Sequence, residues 1–218
     1  MSLIPVKTPV LVKKLFSNYI WNCSTEEKNI YLTFDDGPTP EITDWVLDVL
    51  KKFNAKATFF CIGKNVDLYP KIFNRILEEG HNIGNHTYNH ISGLKTSTNL
   101  YLENANKARD VINKHNTNFV KKESTSLFRP PYGQITSRQG KKLIASGYKI
   151  IMWDVLSIDW DSTISQKICL NNVIKKTSNG SIVVFHDSLK AAKNMQYALP
   201  KVLEHFNEKG YLFKAIKI

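Results

Sequence analysis

From residue 29 onward, short apolar segments alternate with longer amphipathic segments, and this alternation restricts the possible folds more than any other feature of the sequence. Short apolar runs separated by helix-length segments are typical of parallel strands joined by crossover helices. The pattern therefore predicts an α/β fold built on a parallel sheet. The predicted strands are 30–34, 57–61, 82–84, 127–128, 149–153, 182–185 and 212–216.

The amphipathic segments between these strands predict helices. Gly80 and Gly210 follow two of them, at the position where glycine commonly ends a helix. Such a β/α alternation can close into a barrel or remain an open, doubly wound sheet. Because no GxGxxG sequence follows the first strand, we expect a (β/α) barrel of about seven parallel strands rather than a dinucleotide-binding sheet. The predicted helices are 40–53, 65–79, 98–115, 136–146, 163–177 and 195–209.

The length of the chain suits one domain with one hydrophobic core. Its 218 residues are 42% hydrophobic, which is enough for a single sizeable core. We expect an N-terminal arm over residues 1–28 and one folded domain over residues 29–218. The cysteines Cys23, Cys61 and Cys169 are odd in number and far apart, so they predict neither a disulfide framework nor a CxxC metal site.

The chain carries a formal net charge of +11, which raises the question of an acidic partner. Its lysines are scattered in short pairs, without a long basic run that is interleaved with aromatic residues. We therefore expect a solvated basic face and no nucleic-acid partner. The oligomeric state stays open.

The N-terminal segment predicts neither a signal peptide nor a membrane span. Pro5 and Pro9 interrupt its apolar residues, and Lys13 and Lys14 end it before a long hydrophobic region forms. No apolar stretch approaches the roughly 18 residues that a transmembrane helix needs. We expect a protein that is cytoplasmic by default or loosely associated with a membrane through residues 1–28.

Several polar residues directly follow predicted strands. In a parallel barrel the carboxyl ends of the strands meet at one face, which is where the active sites of barrels lie. Residues that are far apart in the sequence would therefore converge there. These residues are Asp35 and Asp36 after the first strand, His86 and His90 after the third, Arg129 after the fourth and His186 after the sixth.

The adjacent carboxylates of Asp35 and Asp36 repel each other unless a cation lies nearby. They can also simply form a turn ahead of Gly37 and Pro38. Arg129, which precedes two prolines, supplies a cation that a stiff turn can hold against a carboxylate.

His86 and His90 are four residues apart, so one helical turn would place both imidazoles on one side and within reach of one ion. Histidine pairs at this spacing are also common as surface or core residues. Together with Asp36 they form a two-histidine, one-carboxylate set that leaves coordination positions free for water and substrate, which indicates catalysis. His186 ends an apolar strand and is either structural or a proton donor.

Four ordered motifs make the chain resemble the polysaccharide deacetylases of carbohydrate esterase family 4 over residues 29–216. These motifs are TFDDGP at 33–38, HTYNH at 86–90, RPPYG at 129–133 and an apolar strand that ends in histidine at 182–186. A further family motif, D-x-x-D-W, is only partly present. Asp159 and Trp160 match it, but Leu156 stands in place of the first aspartate.

The resemblance implies a distorted barrel, a divalent metal ion and a role for each motif residue. Zinc is expected from the ligand types, with cobalt, manganese or iron as alternatives. Because Pro131 has no N–H, the backbone N–H of Tyr132 would hold the developing oxyanion beside the metal. The other implied roles are metal ligand for Asp36, His86 and His90, base for Asp35, acid for His186, tuning of Asp35 for Arg129, orientation of His186 for Asp159, and lining of the substrate groove for Trp160.

The implied function is that of a metal-dependent hydrolase that removes N-acetyl groups from a glycan containing N-acetylglucosamine, such as peptidoglycan or a chitin-like polymer. The same chemistry also serves an O-acetyl esterase or another small-acyl hydrolase. A non-catalytic glycan-binding module is a third possibility, which the presence of both Asp35 and His186 disfavours. A non-haem iron oxygenase uses the same ligand set, but we would expect it on an all-β scaffold.

Overall fold

A parallel β-sheet with helices packed around it forms the fold. The computed structural model describes residues 5–23, 26–116 and 127–217, and within these ranges the chain forms eight strands and eight α-helices. The strands are β1 (Asn29–Asp35), β2 (Thr58–Cys61), β3 (Asn82–Asn85), β4 (Leu127–Phe128), β5 (Lys149–Ile150), β6 (Val155–Leu156), β7 (Ile182–His186) and β8 (Leu212–Phe213). The helices are α1 (Val10–Leu15), α2 (Ile42–Lys52), α3 (Gly63–Leu68), α4 (Pro70–Glu78), α5 (Thr98–His115), α6 (Ser137–Ala145), α7 (Gln166–Ile174) and α8 (Ala192–Glu208).

The sheet has the order β5-β4-β3-β2-β1-β7-β6, with β8 beside the start of β1. All of these pairings are parallel. The central strand β1 places Asp35 in register with Phe60 of β2 and with His186 of β7. The predicted α/β fold and distorted barrel of parallel strands are therefore confirmed.

The barrel is incomplete between its two end strands, β5 and β6, which do not pair with each other among the described residues. The N-terminal segment lies there instead. Ile20 forms a bridge with Ile151 just after β5, and Lys7 forms a bridge with Val155 of β6. Residues 5–23 thus contribute backbone hydrogen bonds to the barrel wall.

Strand β1 shows how one strand serves both the core and the barrel interior. Leu32 and Phe34 are fully buried in the cluster that joins the sheet to α2 and α8. Side chains alternate along a strand, so Thr33 and Asp35 point to the other face. There both of them accept hydrogen bonds from Arg129. This alternation brings polar groups to the barrel mouth without exposing the core.

Two details of the predicted element order are wrong. Residues 65–79 form α3 and α4 rather than one helix, because Pro70 lacks an N–H and disfavours the helical conformation at Tyr69, which has φ −129° and ψ 54°. The predicted strand 149–153 ends at Ile150, and β6 follows after a bend. Ile151, Met152 and Trp153 keep the segment apolar beyond Ile150, so the hydrophobic pattern did not reveal where the strand ends.

Within the three described ranges, no helix has both the length and the apolar character needed to cross a bilayer.

A buried carboxylate fastens the N-terminal segment to the barrel. Asp154 precedes β6 and is only 3% exposed. It accepts hydrogen bonds from the ammonium groups of Lys7, at 2.6 Å, and Lys13, and from the hydroxyl of Ser181 at 2.5 Å. Burial opposes ionisation, but the lysine hydrogen bonds outweigh it and lower the pKa of Asp154. The carboxylate is therefore charged at neutral pH and joins the arm to the starts of β6 and β7.

Asp154→Ala should lower the free energy of unfolding by about 1–2 kcal/mol. Hydrogen bonds to charged groups contribute about 1.5–3 kcal/mol, and the partial exposure of both lysines reduces that contribution. Urea unfolding measures the loss, and limited proteolysis should show faster cleavage within residues 5–23. Asp110→Ala, at an exposed aspartate on α5, is the matched control and should change neither result. Unchanged proteolysis of the arm in Asp154→Ala would contradict this role.

Candidate active site

A cavity of about 410 Å³ opens at the carboxyl ends of the strands. It brings together residues that follow four different strands, as the sequence predicts. Arg129 and Asp159 are fully or almost fully buried behind its wall, and Pro131 is buried while its neighbour Pro130 lines the cavity. The predicted site residues that line the cavity are Asp35, Asp36, His86, His90, Tyr132, Trp160 and His186.

Three of these residues converge on one point. Ligand atoms of Asp36, His86 and His90 all lie within 4.8 Å of one another. Oδ1 of Asp36 is 3.1 Å from Nε2 of His90 and 3.7 Å from Nε2 of His86. This oxygen is buried and has no hydrogen-bond partner. Burial alone would raise the pKa of Asp36. The neighbouring histidines have a larger, opposite effect and hold this pKa well below its usual range. A charged oxygen that lacks a partner between two imidazole nitrogens fits a site for a divalent cation.

The ring of His86 is oriented for ligation. Its Nδ1 lies 2.7 Å from the backbone carbonyl oxygen of Arg129, which can only accept a hydrogen bond. Nδ1 therefore carries the proton, and the lone pair is on Nε2, toward Asp36. Burial lowers the pKa of His86 to about 4, so the ring is neutral near pH 7, as a metal ligand must be.

The expected helical turn between His86 and His90 is wrong. The segment is a loop in which Thr87 (φ 62°) and His90 (φ 55°) have left-handed backbone conformations. Side-chain amides replace the missing helical hydrogen bonds: Asn85 Oδ1 accepts from the N–H of Thr87, and Asn104 Oδ1 accepts from the N–H of Tyr88. The two imidazoles still meet, with ring centroids 5.1 Å apart.

Asp35 is held by a fully buried arginine. Nη1 of Arg129 donates to Oδ1 of Asp35 and to the hydroxyl of Thr33, both at 2.7 Å. Nε and Nη2 of the guanidinium donate to the backbone carbonyls of Ile151 and Met152. Oδ2 of Asp35 accepts no hydrogen bond from the described residues. The arginine thus fixes one carboxylate oxygen and leaves the other available to the cavity.

Two hydrogen bonds connect His186 to Asp159. Nδ1 of His186 lies 2.8 Å from Oδ1 of Asp159, and the backbone N–H of His186 donates to Oδ2 of the same carboxylate, also at 2.8 Å. Burial lowers the pKa of His186, but the charge and hydrogen bond of Asp159, with smaller contributions from Asp36 and Asp35, raise it to about 9. Nε2 is left for the cavity, and Trp160 packs edge-on at 4.8 Å between ring centroids.

Sequence reasoning missed a carboxylate that joins the loops after β1 and β7. Oδ1 of Asp187 accepts from the N–H of Gly37 at 3.0 Å, and Oδ2 accepts from the hydroxyl of Thr43 at 2.6 Å. A Cβ at Gly37 would lie 1.9 Å from Oδ2, so only glycine fits there. The signal was present, because Asp187 also directly follows a strand. It fixes the backbone next to Asp36.

The cavity wall beside His186 is apolar. Leu156 packs with Val184 there, and Trp153 and Trp160 border both of them. Leu156 is the residue that departs from the family motif, and it is only 3% exposed. On the opposite side, the exposed ring of Tyr132 lies 4.6 Å from that of His90, measured between centroids. At the position of the departure, the wall therefore carries an apolar side chain.

Comparison with known proteins places the chain in one family. The polysaccharide deacetylase family profile matches residues 22–151. A peptidoglycan-N-acetylglucosamine deacetylase of Bacillus cereus is 36% identical over 200 residues, which cover 90% of each chain. The peptidoglycan-N-acetylmuramic acid deacetylase PdaA of Bacillus subtilis is 32% identical over 211 residues, covering 94% of this chain and 76% of that protein.

A solved structure agrees with this match over nearly the whole chain. The crystal structure of the Bc1960 peptidoglycan N-acetylglucosamine deacetylase superposes with a TM-score of 0.85 and 32% identity, covering 96% of this chain and 95% of that one. The fold, the ordered motifs and the sequence similarity lead to one conclusion. This chain belongs to the polysaccharide deacetylase family.

Proposed function

We propose that this chain is a zinc-dependent hydrolase that removes the N-acetyl group from amino sugars of peptidoglycan. The observation that carries the proposal is the arrangement around the cavity. The cluster of Asp36, His86 and His90 lies in the same cavity as Asp35, which pairs with Arg129, and His186, which pairs with Asp159. The cavity thus brings a cation site, a candidate base and a candidate acid together.

The donor set suits a catalytic divalent ion. Two imidazoles and one carboxylate leave coordination positions open for water and substrate, and zinc accepts these ligands readily. When bound, such an ion lowers the pKa of a coordinated water and polarises a carbonyl oxygen. Oδ1 of Asp36 is buried without a hydrogen-bond partner, and a bound cation would stabilise its negative charge.

Asp35 is proposed as the general base. Its Oδ1 is occupied by Arg129, so Oδ2 is the oxygen that would take a proton from the attacking water. The guanidinium also keeps Asp35 fixed, which matters because a base must stay within hydrogen-bond reach of the proton that it removes.

His186 is proposed as the general acid. Because Nδ1 faces Asp159, Nε2 is the atom that would give its proton to the departing amine nitrogen. An amine leaves poorly unless it is protonated, so amide hydrolysis needs this step. The backbone N–H of Tyr132, which makes no hydrogen bond within the described part of the chain, is proposed to stabilise the oxyanion.

The choice of substrate follows from two observations. The two relatives described above, which match 90% and 94% of this chain, are named as deacetylases of N-acetylglucosamine and N-acetylmuramic acid in peptidoglycan. The apolar wall of Leu156, Val184 and Trp160 beside His186 offers a place for the acetyl methyl group. Both support an acetylated amino sugar as substrate.

Acetate release from a panel of substrates tests this proposal. Zinc-loaded protein should release acetate from purified peptidoglycan faster than from acetylated chitin oligomers or O-acetylated xylan. Protein that has been exhaustively demetallated, and checked by elemental analysis, should be inactive until zinc is returned. Equal activity without metal would refute the zinc requirement, and a preference for O-acetylated xylan would refute the proposed substrate.

A further inference from the structure

The N-terminal helix exposes apolar side chains that the catalytic proposal does not use. Helix α1 has no buried residue. Val10, Leu11 and Leu15 are 66%, 77% and 73% exposed, and the adjacent Phe16 is 40% exposed. These four residues are called the apolar ridge below. So many large apolar side chains within seven consecutive positions indicate a contact surface rather than ordinary surface variation.

Positive charge surrounds the apolar ridge. Lys14 is exposed on the same helix. Lys7 and Lys13 share the single carboxylate of Asp154, and Nζ of Lys7 also binds the backbone carbonyl of Lys176, whose side chain is exposed. Two lysines therefore bind one buried carboxylate, Lys14 directly follows one of them, and the backbone of Lys176 contacts the other. Exposed apolar residues beside clustered lysines are typical of segments that bind the surface of anionic membranes.

The attachment of α1 determines which way the cavity would face. Lys7 and Lys13 bind Asp154, and Ser181 binds the same carboxylate. Asp154 and Ser181 directly precede β6 and β7, so the ridge lies at the side where these parallel strands begin. The cavity lies at their carboxyl ends. If the ridge binds a surface, the cavity therefore faces away from that surface.

We propose that the apolar ridge inserts into the interface of an anionic lipid bilayer, with Lys14 and the neighbouring lysines against the lipid phosphates. A second copy of the chain is a poorer occupant. A helix of six residues is only about 9 Å long, whereas a stable protein interface needs roughly 800 Å² from each partner. A bilayer interface needs only a few apolar side chains and adjacent cations. This proposal is independent of the chemistry in the cavity.

Vesicle sedimentation with the full chain tests it. The protein should sediment with vesicles of phosphatidylglycerol and phosphatidylcholine and bind much more weakly to vesicles of phosphatidylcholine alone. Leu11→Ser with Leu15→Ser should weaken binding by at least roughly tenfold, from the apolar area that no longer enters the interface. Lys14→Glu should weaken it by roughly tenfold, since each cation near such a surface adds several-fold.

Matched controls distinguish vesicle binding through the apolar ridge from nonspecific adsorption. Leu212→Ser and Ile168→Ser remove apolar side chains that are 50% and 48% exposed elsewhere, and Lys71→Glu reverses an exposed lysine on α4. These variants should bind vesicles like the parent protein. The thermal midpoint of every variant should be unchanged, because none of the replaced side chains is buried.

Three results would overturn the proposal. The first is no binding to anionic vesicles. The second is equal loss of binding in the ridge and control variants, which would indicate attraction by net charge alone. The third is concentration-dependent dimerisation, measured by light scattering, that the ridge variants abolish while vesicle binding persists, which would assign the ridge to a second copy of the chain.

Discussion

Asp36→Ala should abolish zinc binding and acetate release together, whereas Asp35→Asn should keep the ion and still lose turnover by about 10²–10⁴-fold, the usual range for a general base. The two aspartates are adjacent but differ in their contacts. Asp36 directs a partnerless oxygen toward His86 and His90, and Asp35 binds Arg129. Asparagine at position 35 keeps an oxygen for the arginine but cannot accept the proton of water.

Zinc content by elemental analysis, zinc affinity by calorimetry and acetate release from peptidoglycan measure the two effects separately. Asp110→Asn, at an exposed position on α5, is the control for loss of one negative charge. Arg129 is buried beside position 35, so circular dichroism should first establish that Asp35→Asn is folded. If both active-site variants lost zinc to the same extent, the division into base and ligand would be wrong.

His186→Ala should slow the release of acetate from an N-acetylated sugar by about 10²–10⁴-fold, while slowing hydrolysis of an activated aryl acetate far less. An amine must be protonated to leave, but a phenolate with a pKa of about 7 leaves without an acid. The comparison of the two substrates therefore isolates proton donation from metal binding and substrate positioning. Equal slowing of both substrates with unchanged zinc content would assign His186 to positioning instead.

Asp159→Asn tests the pH dependence that is expected if His186 is the general acid. Asp159 makes the largest favourable contribution to the raised pKa of His186. The acid must be protonated, so activity falls as the pH rises through the pKa of His186. Without the charge of Asp159 that pKa is lower, and the fall should begin at a lower pH. An unchanged alkaline limb in Asp159→Asn would mean that another group controls it.

Much of the site could be predicted because its residues directly follow strands whose apolar pattern is clear. Asp35 and His186 end two such strands, and the barrel geometry alone places them at one mouth. The repulsion between Asp35 and Asp36 also correctly indicated a nearby cation, which is the guanidinium of Arg129. These inferences needed only strand periodicity and charge.

The backbone of the loop at residues 86–90 could not be predicted in this way. Its left-handed residues Thr87 and His90 are not glycines, so nothing in the sequence signals that conformation. The amide that supports Tyr88 comes from Asn104 on α5. The contact between Asp187 and Gly37 likewise depends on β1 and β7 being neighbours. Strand order is a long-range property that local hydrophobic periodicity does not contain.

The position of the N-terminal segment in the barrel wall has a consequence for how the protein is made. Lys7 and its partner Asp154 are 147 residues apart in the sequence. Ile20 likewise forms its bridge with the distant Ile151. During synthesis on the ribosome, residues 5–23 would therefore stay without these partners until most of the barrel had been synthesised. Contacts of such long sequence separation form late and slow folding. The apolar residues of α1 would meet chaperones, or a membrane, before they meet the rest of their own chain.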